Sequence, residues 1–294
     1  MFMSDDNKKL ASFRTRIDEI DNEIIGLLIR RIAVVKQVGE LKSSTTTIPC
    51  PIRSGREAEM VRSIVERFRP TDFPAAAAAA IWRIIIGAST SVEAKLNLSV
   101  FADEKENSLY WLAREYFGAS LSIVKQPHIN RVIGDVMDGK VAVGIVPFPR
   151  SSDTSNWWTS LMQHGDNMPK IFAHIPFVYT DIPGKAVPSA LAVARLKPEP
   201  SGDDMSLVVI EADANVSQSR LQTAFVNAKL EVSWINIATL SPSCRHHLVE
   251  IKGFVDGEHE GFAAFASALG AAVFTTHFLG AYARPITVID SQNT

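Results

Sequence analysis

The stretch LLIRRIAVVKQVGELK, residues 27–42, decides the fold of the N-terminal third because it puts cations into a helix that is otherwise apolar on one side. Positions seven residues apart lie on the same side of a helix, and one such series is apolar at all positions but one: Leu10, Ile17, Ile24, Arg31 and Val38. The neighbouring series carries Arg14 and Lys42 near its ends. The pattern predicts one helix over residues 5–42, with Arg31 buried and three cations along a single seam.

This first helix is too long to be covered by its own chain. At 1.5 Å per residue it would extend about 57 Å, and the two helical segments that follow it are much shorter. An apolar series along the whole length needs a partner of equal length, and a second copy of the chain supplies one. We therefore expect a homodimer formed through the first helix.

The rest of the chain divides by composition and period. SSTTTIPCPIR, residues 43–53, is predicted to be a loop, a second helix begins at Ser54, and a third follows Pro74 and ends near residue 98. Strands and helices then alternate as far as the polar stretch KPEPSGDD, residues 197–204. The predicted domains are residues 1–98, all-helical with three helices; 99–198, α/β; and 199–294, a small α+β unit of βαββαβ type.

Composition excludes several functional classes. A formal net charge of −2 gives no basic field for nucleic acid. The first ten residues lack the apolar core of a signal peptide, and the most apolar window, residues 75–88, is interrupted by Arg83 and is short for a membrane span. We expect a cytoplasmic protein without a nucleic-acid or membrane partner.

The cysteines and histidines indicate neither a disulfide framework nor a metal centre. Cys50 and Cys244 are the two cysteines and lie far apart in sequence, as is usual in a reducing compartment. His246 and His247 are adjacent, and neighbouring residues on a strand point to opposite faces, so they make a poor chelating pair. We expect no metal and no cofactor.

Polar residues also intrude on the other two helices. Spacing places Ser89 and Glu93 on the buried face of the third helix, and Arg56 and Glu57 open the second. Two simpler interpretations compete: the cations pair with acids on neighbouring helices, or Ser54 and Glu57 form a capping box, since they have the S-x-x-E spacing.

In order and interval these residues resemble the all-helical class of chorismate mutase. The resemblance runs through residues 10–96 and covers seven positions of the family's pattern: Arg14, Arg31, Lys42, Arg56, Glu57, Ser89 and Glu93. It departs in the loop before Arg56, which is a residue shorter than in some relatives; an aspartate often found there is not matched at Arg53 or Ser54.

The resemblance implies a reaction that needs no base, nucleophile or metal. Chorismate is a dianion that rearranges to prephenate when its diaxial conformer is held and charge on the breaking ether oxygen is stabilised. By the family's pattern, Arg31 and Arg14 of the partner subunit bind the carboxylates with help from Ser89. Lys42 contacts a carboxylate and the ether oxygen. Glu57 holds the ring hydroxyl, and Arg56 adds positive potential.

Glu93 stands where many relatives have glutamine. A glutamate donates a hydrogen bond to the ether oxygen only when it is protonated. Either its surroundings keep the carboxyl group protonated, or activity falls as pH rises. The resemblance therefore implies an acid-shifted pH optimum that Glu93→Gln flattens. A structural ion pair between Glu93 and Lys42 is the alternative.

The last two thirds of the chain resemble the bifunctional chorismate mutase/prephenate dehydratase, whose final domain is a phenylalanine-sensing ACT domain. VAVGIVPFPRS, HHLVEIKGFVDG and FLGAYARP carry the resemblance. The motifs that carry the dehydratase's chemistry do not survive: Ala194, Arg195 and Leu196 stand in place of its Thr-Arg-Phe, Pro149 and Arg150 in place of its Glu-Asn pair, and ADEKENS in place of its glycine-rich segment. The regulatory motifs of the ACT domain are similarly eroded: Ser219, Arg220 and Leu221 stand at one of them and LSPSC at the other.

We therefore interpret the middle region as dehydratase-like without dehydration and the last as ACT-like, with a regulatory or scaffolding role. Arg195 and Arg150 either hold an anionic ligand or are solvated surface residues. The expected function is a cofactor-free, homodimeric chorismate mutase that forms prephenate. Two alternatives remain: a working bifunctional mutase/dehydratase, and a non-catalytic sensor of aromatic metabolites.

Overall fold

The computed structural model describes residues 5–45, 50–94, 96–103, 107–151, 153, 155–163, 168–180 and 187–288, with the side chains of residues 42–45 and 271 outside the description. Three helices come first: α1 (Asp5–Thr45), α2 (Ser54–Phe68) and α3 (Ala75–Glu93). The bounds of α2 agree with the sequence prediction, and α1 ends at Thr45 instead of residue 42. Residues 46–49 of the predicted loop lie outside the described residues.

Small and branched side chains join α2 to α3. Ala58, Val61 and Val65 of α2 pack with Ala79 and Ile86 of α3 in one buried cluster. Helix α1 packs on α3 through its C-terminal part, where Gly39 lies close to Glu93. A side chain at Gly39 would place its Cβ 3.2 Å from the Glu93 Cα, so the two helices approach closely there.

Helix α1 exposes most of its apolar side chains. Arg31 itself is half-buried, less covered than its apolar series predicts. Twelve large apolar residues of α1 are exposed, Leu41 by 68% and Ile29 by 63%. These twelve residues, named here the α1 apolar face, are Leu10, Phe13, Ile17, Ile20, Ile24, Ile25, Leu27, Leu28, Ile29, Val34, Val38 and Leu41.

Strands and helices alternate after α3. The strands are β1 (Asn97–Phe101), β2 (Ser122–Gln126), β3 (Val143–Pro147), β4 (Lys170–Ile175), β5 (Val178–Thr180), β6 (Ala190–Ala194), β7 (Asp204–Asp213), β8 (Val232–Ser241), β9 (Cys244–Lys252), β10 (Val273–Ala283) and β11 (Ile286–Val288). The helices are α4 (Ser108–Phe117), α5 (Ile129–Met137), α6 (Gln218–Asn227) and α7 (Glu260–Leu269).

Nine of the strands in the described part of the chain form one sheet, in the order β2-β1-β3-β6-β4-β10-β7-β9-β8. Strands β1, β2 and β3 are parallel, and β6 lies antiparallel between β3 and β4. The segment KIFAHIPFVYT, residues 170–180, is interrupted at Pro176 and forms β4 and β5, because proline has no N–H to donate.

The final part of the chain runs β7-α6-β8-β9-α7-β10. Its four strands are antiparallel in the order β10-β7-β9-β8, with α6 and α7 packed on one face. The other face meets the 3₁₀ turn at Trp157–Leu161. Strand β10 joins β4 at Gly280, where a Cβ would lie 2.1 Å from the Ile171 carbonyl oxygen and φ is +144°. Glycine is therefore required where the two halves of the sheet meet.

The helical region is fixed to the sheet region through α2 and α3. Arg62 of α2 donates from Nη1 to the Ser201 carbonyl oxygen at 2.8 Å and from Nη2 to the Asp203 carbonyl oxygen at 2.6 Å. Helix α3 lies against α4 so closely that Gly87 touches the backbone of Phe117. These contacts cover α2 and α3 and leave the α1 apolar face open.

Helix α3 is long and apolar enough to cross a membrane by length and composition alone, and it is the one such helix among the described residues. Buried core helices of soluble proteins pass the same test, and the buried Arg83 lies near its middle.

Candidate active site in the helical region

The contact between α1 and α3 is built on Arg31 and Ser89. The Nη1 of Arg31 donates to the hydroxyl of Ser89, whose own proton goes to the Ile85 carbonyl oxygen at 2.7 Å. Ser89 is buried and Arg31 is half-buried. The partner of Arg31 in this contact is a neutral hydroxyl, so the contact positions the guanidinium without cancelling its charge.

A second polar contact joins α2 to α3. Arg83 Nη1 donates to Glu57 Oε2 at 3.2 Å, with both side chains largely buried. Burial raises the pKa of Glu57; Arg83 opposes this rise, and Glu93 adds to it. The arginine guanidinium also lies 4.2 Å from the ring centroid of Tyr116 and 5.3 Å from that of Phe177.

The capping-box interpretation of Ser54 and Glu57 is wrong. Arg53 is the N-cap of α2, Ser54 is already helical, and no side-chain cap bond is present there in the described part of the chain. The Glu57 N–H donates to the Arg53 carbonyl oxygen at 2.9 Å as an ordinary helical bond. Glu57 points across to α3, where its carboxylate accepts from Arg83.

Helix α3 links four of the seven residues: Ser89 contacts Arg31 of α1, Glu93 lies against Gly39 of α1, and Glu57 of α2 feels the charge of Glu93. Glu93 lies one turn after Ser89 on α3, close to α1. The pKa of Glu57 responds to the charge of Glu93, which places the two carboxyls within electrostatic reach of each other. The four residues, named here the α1–α3 site, are Arg31, Glu57, Ser89 and Glu93.

The other three residues stand apart or outside the description. Arg56 is exposed on α2. Arg14 is exposed on α1, seventeen residues before Arg31, which corresponds to about 26 Å along the helix. The backbone of Lys42 belongs to α1, and its side chain lies outside the described residues.

Sequence reasoning missed Arg83 as a member of this site. In the sequence Arg83 only interrupts an apolar window, whereas in the structure it is the partner of Glu57. The available signal was the one used for Arg31, since a lone cation in an apolar helix needs a polar partner.

The two arginines considered as an anion site lie at opposite ends of β3. Pairing of β3 with β6 puts Val143 opposite Ala194 and Pro147 opposite Ala190, so Arg195 follows one end and Arg150 the other. Arg195 lines a cavity of about 270 Å³ together with Lys140, and Arg150 is exposed. A joint site is therefore wrong, because antiparallel pairing carries the two residues apart.

Metal-binding potential lies elsewhere in the chain. Among the described residues, the side chains of His, Cys and acidic residues close enough to share an ion are Glu211, Cys244 and His246, on β7 and β9.

Comparison with known proteins supports the resemblance of both regions. Residues 13–94 match the family model of chorismate mutase type II. The chain is 30% identical over 141 residues to the bifunctional chorismate mutase/prephenate dehydratase of Aquifex aeolicus (strain VF5). That alignment covers 48% of this chain and 39% of the relative, so the chain spans well under half of the relative's length. The predicted resemblance to a mutase/dehydratase fusion is confirmed.

Solved structures similar to this chain include two prephenate dehydratases. The Streptococcus mutans protein is 11% identical with a TM-score of 0.48, over 65% of this chain and 99% of that one. The Arthrobacter aurescens protein in complex with L-Phe is 13% identical with a TM-score of 0.48, over 64% of this chain and 90% of that one.

Proposed function

We propose that the chain is a cytoplasmic, homodimeric chorismate mutase that converts chorismate to prephenate. The observation that carries the proposal is the Arg31–Ser89 contact, because it holds a cation against a neutral hydroxyl at the seam of α1 and α3, inside the residues that match the mutase family. A dianionic substrate needs such a cation, and a rearrangement without acid, base or metal needs little more than position and charge.

In this proposal the site residues take the roles that the resemblance implies. Arg31 binds a carboxylate with Ser89 assisting, and Arg56 contributes positive potential from its exposed position. Glu57 holds the ring hydroxyl, with Arg83 fixing the carboxylate from the side of α3. Lys42 and Glu93 act on the ether oxygen. No cofactor enters this reaction.

Arg14 completes the site from the partner subunit. It is about 26 Å from Arg31 in its own chain, far beyond the reach of one side chain. Two α1 helices packed antiparallel about a two-fold axis bring Arg14 of one beside Arg31 of the other when the axis passes midway, near residue 22. The same pairing covers the α1 apolar face along its whole length, which the single chain leaves exposed.

The regions after the mutase domain have a regulatory or scaffolding role in this proposal. Their boundaries are residues 99–198 for a dehydratase-like domain and 199–294 for an ACT-like domain. The β7-α6-β8-β9-α7-β10 order supports the ACT-like assignment. Ala194 and Leu196 in place of threonine and phenylalanine count against dehydration.

One incubation tests the proposal. The purified chain is mixed with chorismate, loss of chorismate is followed by absorbance, and products are separated by chromatography. Prephenate that accumulates supports the mutase; phenylpyruvate would instead establish the bifunctional alternative, and binding without turnover the sensor. Arg31→Ala should abolish turnover, and Arg195→Ala, a cation outside the α1–α3 site, should leave it unchanged.

A further inference from the structure

Strand pairing in the C-terminal half of the sheet gathers four side chains that the sequence keeps far apart. Glu211 on β7 lies opposite His246 on β9, and two positions along, Asp213 lies opposite Cys244. On the other side of β7, Val209 lies opposite His277 of β10. Because alternate residues share a face, Glu211, Cys244, His246 and His277 all project from the same face of the sheet.

Their side-chain atoms converge on one carboxylate. Glu211 Oε1 lies 3.2 Å from His246 Nε2 and 2.9 Å from His277 Nε2. One ligand atom each of Glu211, Cys244 and His246 lies within 4.8 Å of the other two. Both histidine side chains are 9% exposed.

We propose that Glu211, Cys244 and His246 bind a divalent transition metal of the zinc class, with His277 positioning the Glu211 carboxylate. Zinc is held at about 2.0–2.3 Å by these three donor types, so tetrahedral ligand atoms stand about 3.5 Å apart. The three atoms lie within 4.8 Å of one another, so they must approach by up to about 1.3 Å to reach that spacing.

The donor set selects the ion. One thiolate, one imidazole and one carboxylate suit zinc better than magnesium or calcium, which take oxygen ligands. Thiolate and carboxylate together carry two negative charges, which a divalent cation balances. The thiolate is the form of cysteine that binds zinc, so binding releases the thiol proton of Cys244.

His277 is the supporting residue. Metal-binding groups are commonly held by an outer hydrogen bond that fixes their orientation, and its removal weakens binding about 10–100-fold. His277 reaches Glu211 from β10, the strand on the far side of β7 from the other two ligands. His246 also keeps its Nδ1 buried without a hydrogen-bond partner among the described residues.

The test uses the untagged full chain, reduced and stripped of metal. Calorimetric titration with Zn²⁺ should give one saturable site per chain, and Co²⁺ should give a thiolate-to-metal absorption band. Cys244→Ser should abolish that band, and Cys244→Ser and His246→Gln should each weaken Zn²⁺ binding by at least about tenfold. Cys50→Ser is the matched thiol control and His128→Gln, an exposed histidine, the matched imidazole control; both should bind as the parent does.

A second measurement needs no variant. Zn²⁺ should slow alkylation of Cys244, mapped by mass spectrometry, while buried Cys50, whose pKa burial raises to about 11, serves as the internal reference. Absence of a saturable Zn²⁺ site, or equal binding by parent and Cys244→Ser, would overturn the proposal and leave a metal-free hydrogen-bonded cluster.

Discussion

Arg83 on α3 donates to Glu57 on α2 at 3.2 Å, and the same guanidinium lies 4.2 Å from the ring centroid of Tyr116 on α4. One buried cation therefore touches both a residue of the α1–α3 site and an aromatic residue of the sheet region. The contact links Glu57 to the sheet region through a single side chain. It also makes the charge of Glu57 a measurable component of stability.

Glu57→Gln should make the protein more stable than the parent at neutral pH. The pKa of Glu57 is raised above its ordinary value of 4.5, chiefly by burial and in spite of Arg83. From about pH 4.5 upward the folded chain therefore holds a proton that the unfolded chain has lost, and the free energy of unfolding falls as pH rises. The neutral glutamine removes this pH-dependent loss of stability. The free energies of unfolding of parent and variant should therefore converge toward acidic pH.

Urea unfolding of both proteins across this pH range measures the difference. Glu59→Gln, a change to an exposed glutamate on the same helix, is the control and should shift stability little at any pH. A Glu57→Gln variant less stable than the parent at neutral pH would contradict the prediction. Under the proposed function, the stabilised variant should also lose mutase activity, since Glu57 holds the ring hydroxyl.

Arg83→Met should destabilise the fold in a pH-dependent way. Removing one partner of a buried ion pair costs about 3–5 kcal/mol when the remaining charge stays buried. Glu57 escapes part of that cost by binding a proton, so the loss should be largest at alkaline pH and smallest under acid. Denaturant unfolding at two pH values measures it, with the exposed Arg67→Met as control. Equal losses at both pH values would mean that Arg83 serves packing alone.

Gly87→Ala should loosen the junction between α3 and α4. A Cβ at Gly87 would lie 2.1 Å from the Phe117 carbonyl oxygen and 2.9 Å from its carbonyl carbon, so one helix must move. We expect a loss of about 1–3 kcal/mol, the usual cost of overpacking. Gly134→Ala in α5 is the matched control: its Cβ meets nothing within 4 Å among the described residues, and it should gain up to about 1 kcal/mol. Thermal unfolding of the parent and of both variants measures the expected loss for Gly87→Ala and the expected gain for Gly134→Ala.

Local patterns predicted the helices and strands that carry their own signals. Helix α2 lies between a proline-containing loop and Pro70, and its predicted bounds agree with the structure. Strand β6, residues 190–194, was not predicted, because a short alanine-rich run lacks the β-branched periodicity of a strand and takes that form only between β3 and β4.

Site residues that share one helix could be predicted from their spacing in the sequence. Contacts between residues on different helices or strands could not, because they depend on how those elements pack. Ser89 and Glu93 share a face of α3 by spacing alone. The partner of Glu57 depends on how α2 crosses α3, and that crossing is set by packing. Likewise, the adjacent pair His246 and His247 suggested no chelate, while the register between β7 and β9 set Glu211 beside His246 from thirty-five residues away.

Mixing two inactive variants should restore mutase activity. In the proposed dimer each site combines Arg31 of one subunit with Arg14 of its partner. An Arg14→Ala homodimer therefore lacks Arg14 in both of its sites, and an Arg31→Ala homodimer lacks Arg31 in both. In a mixed dimer, one site receives both substitutions and the other receives neither. After equal amounts are unfolded and refolded together, random pairing makes half of the dimers mixed, each with one intact site, so about a quarter of the parental activity should return.

Refolding Arg31→Ala with Ser89→Ala is the control for this complementation. In a mixed dimer of these two, each site carries one of the substitutions, because Arg31 and Ser89 belong to the same chain's site. Activity should therefore stay at the mean of the two homodimers. If activity returns in the Arg14→Ala and Arg31→Ala mixture and not in the control mixture, the site is shared between subunits. Mass spectrometry verifies that mixed dimers have formed. If they have formed and no activity returns, Arg14 lies outside the site.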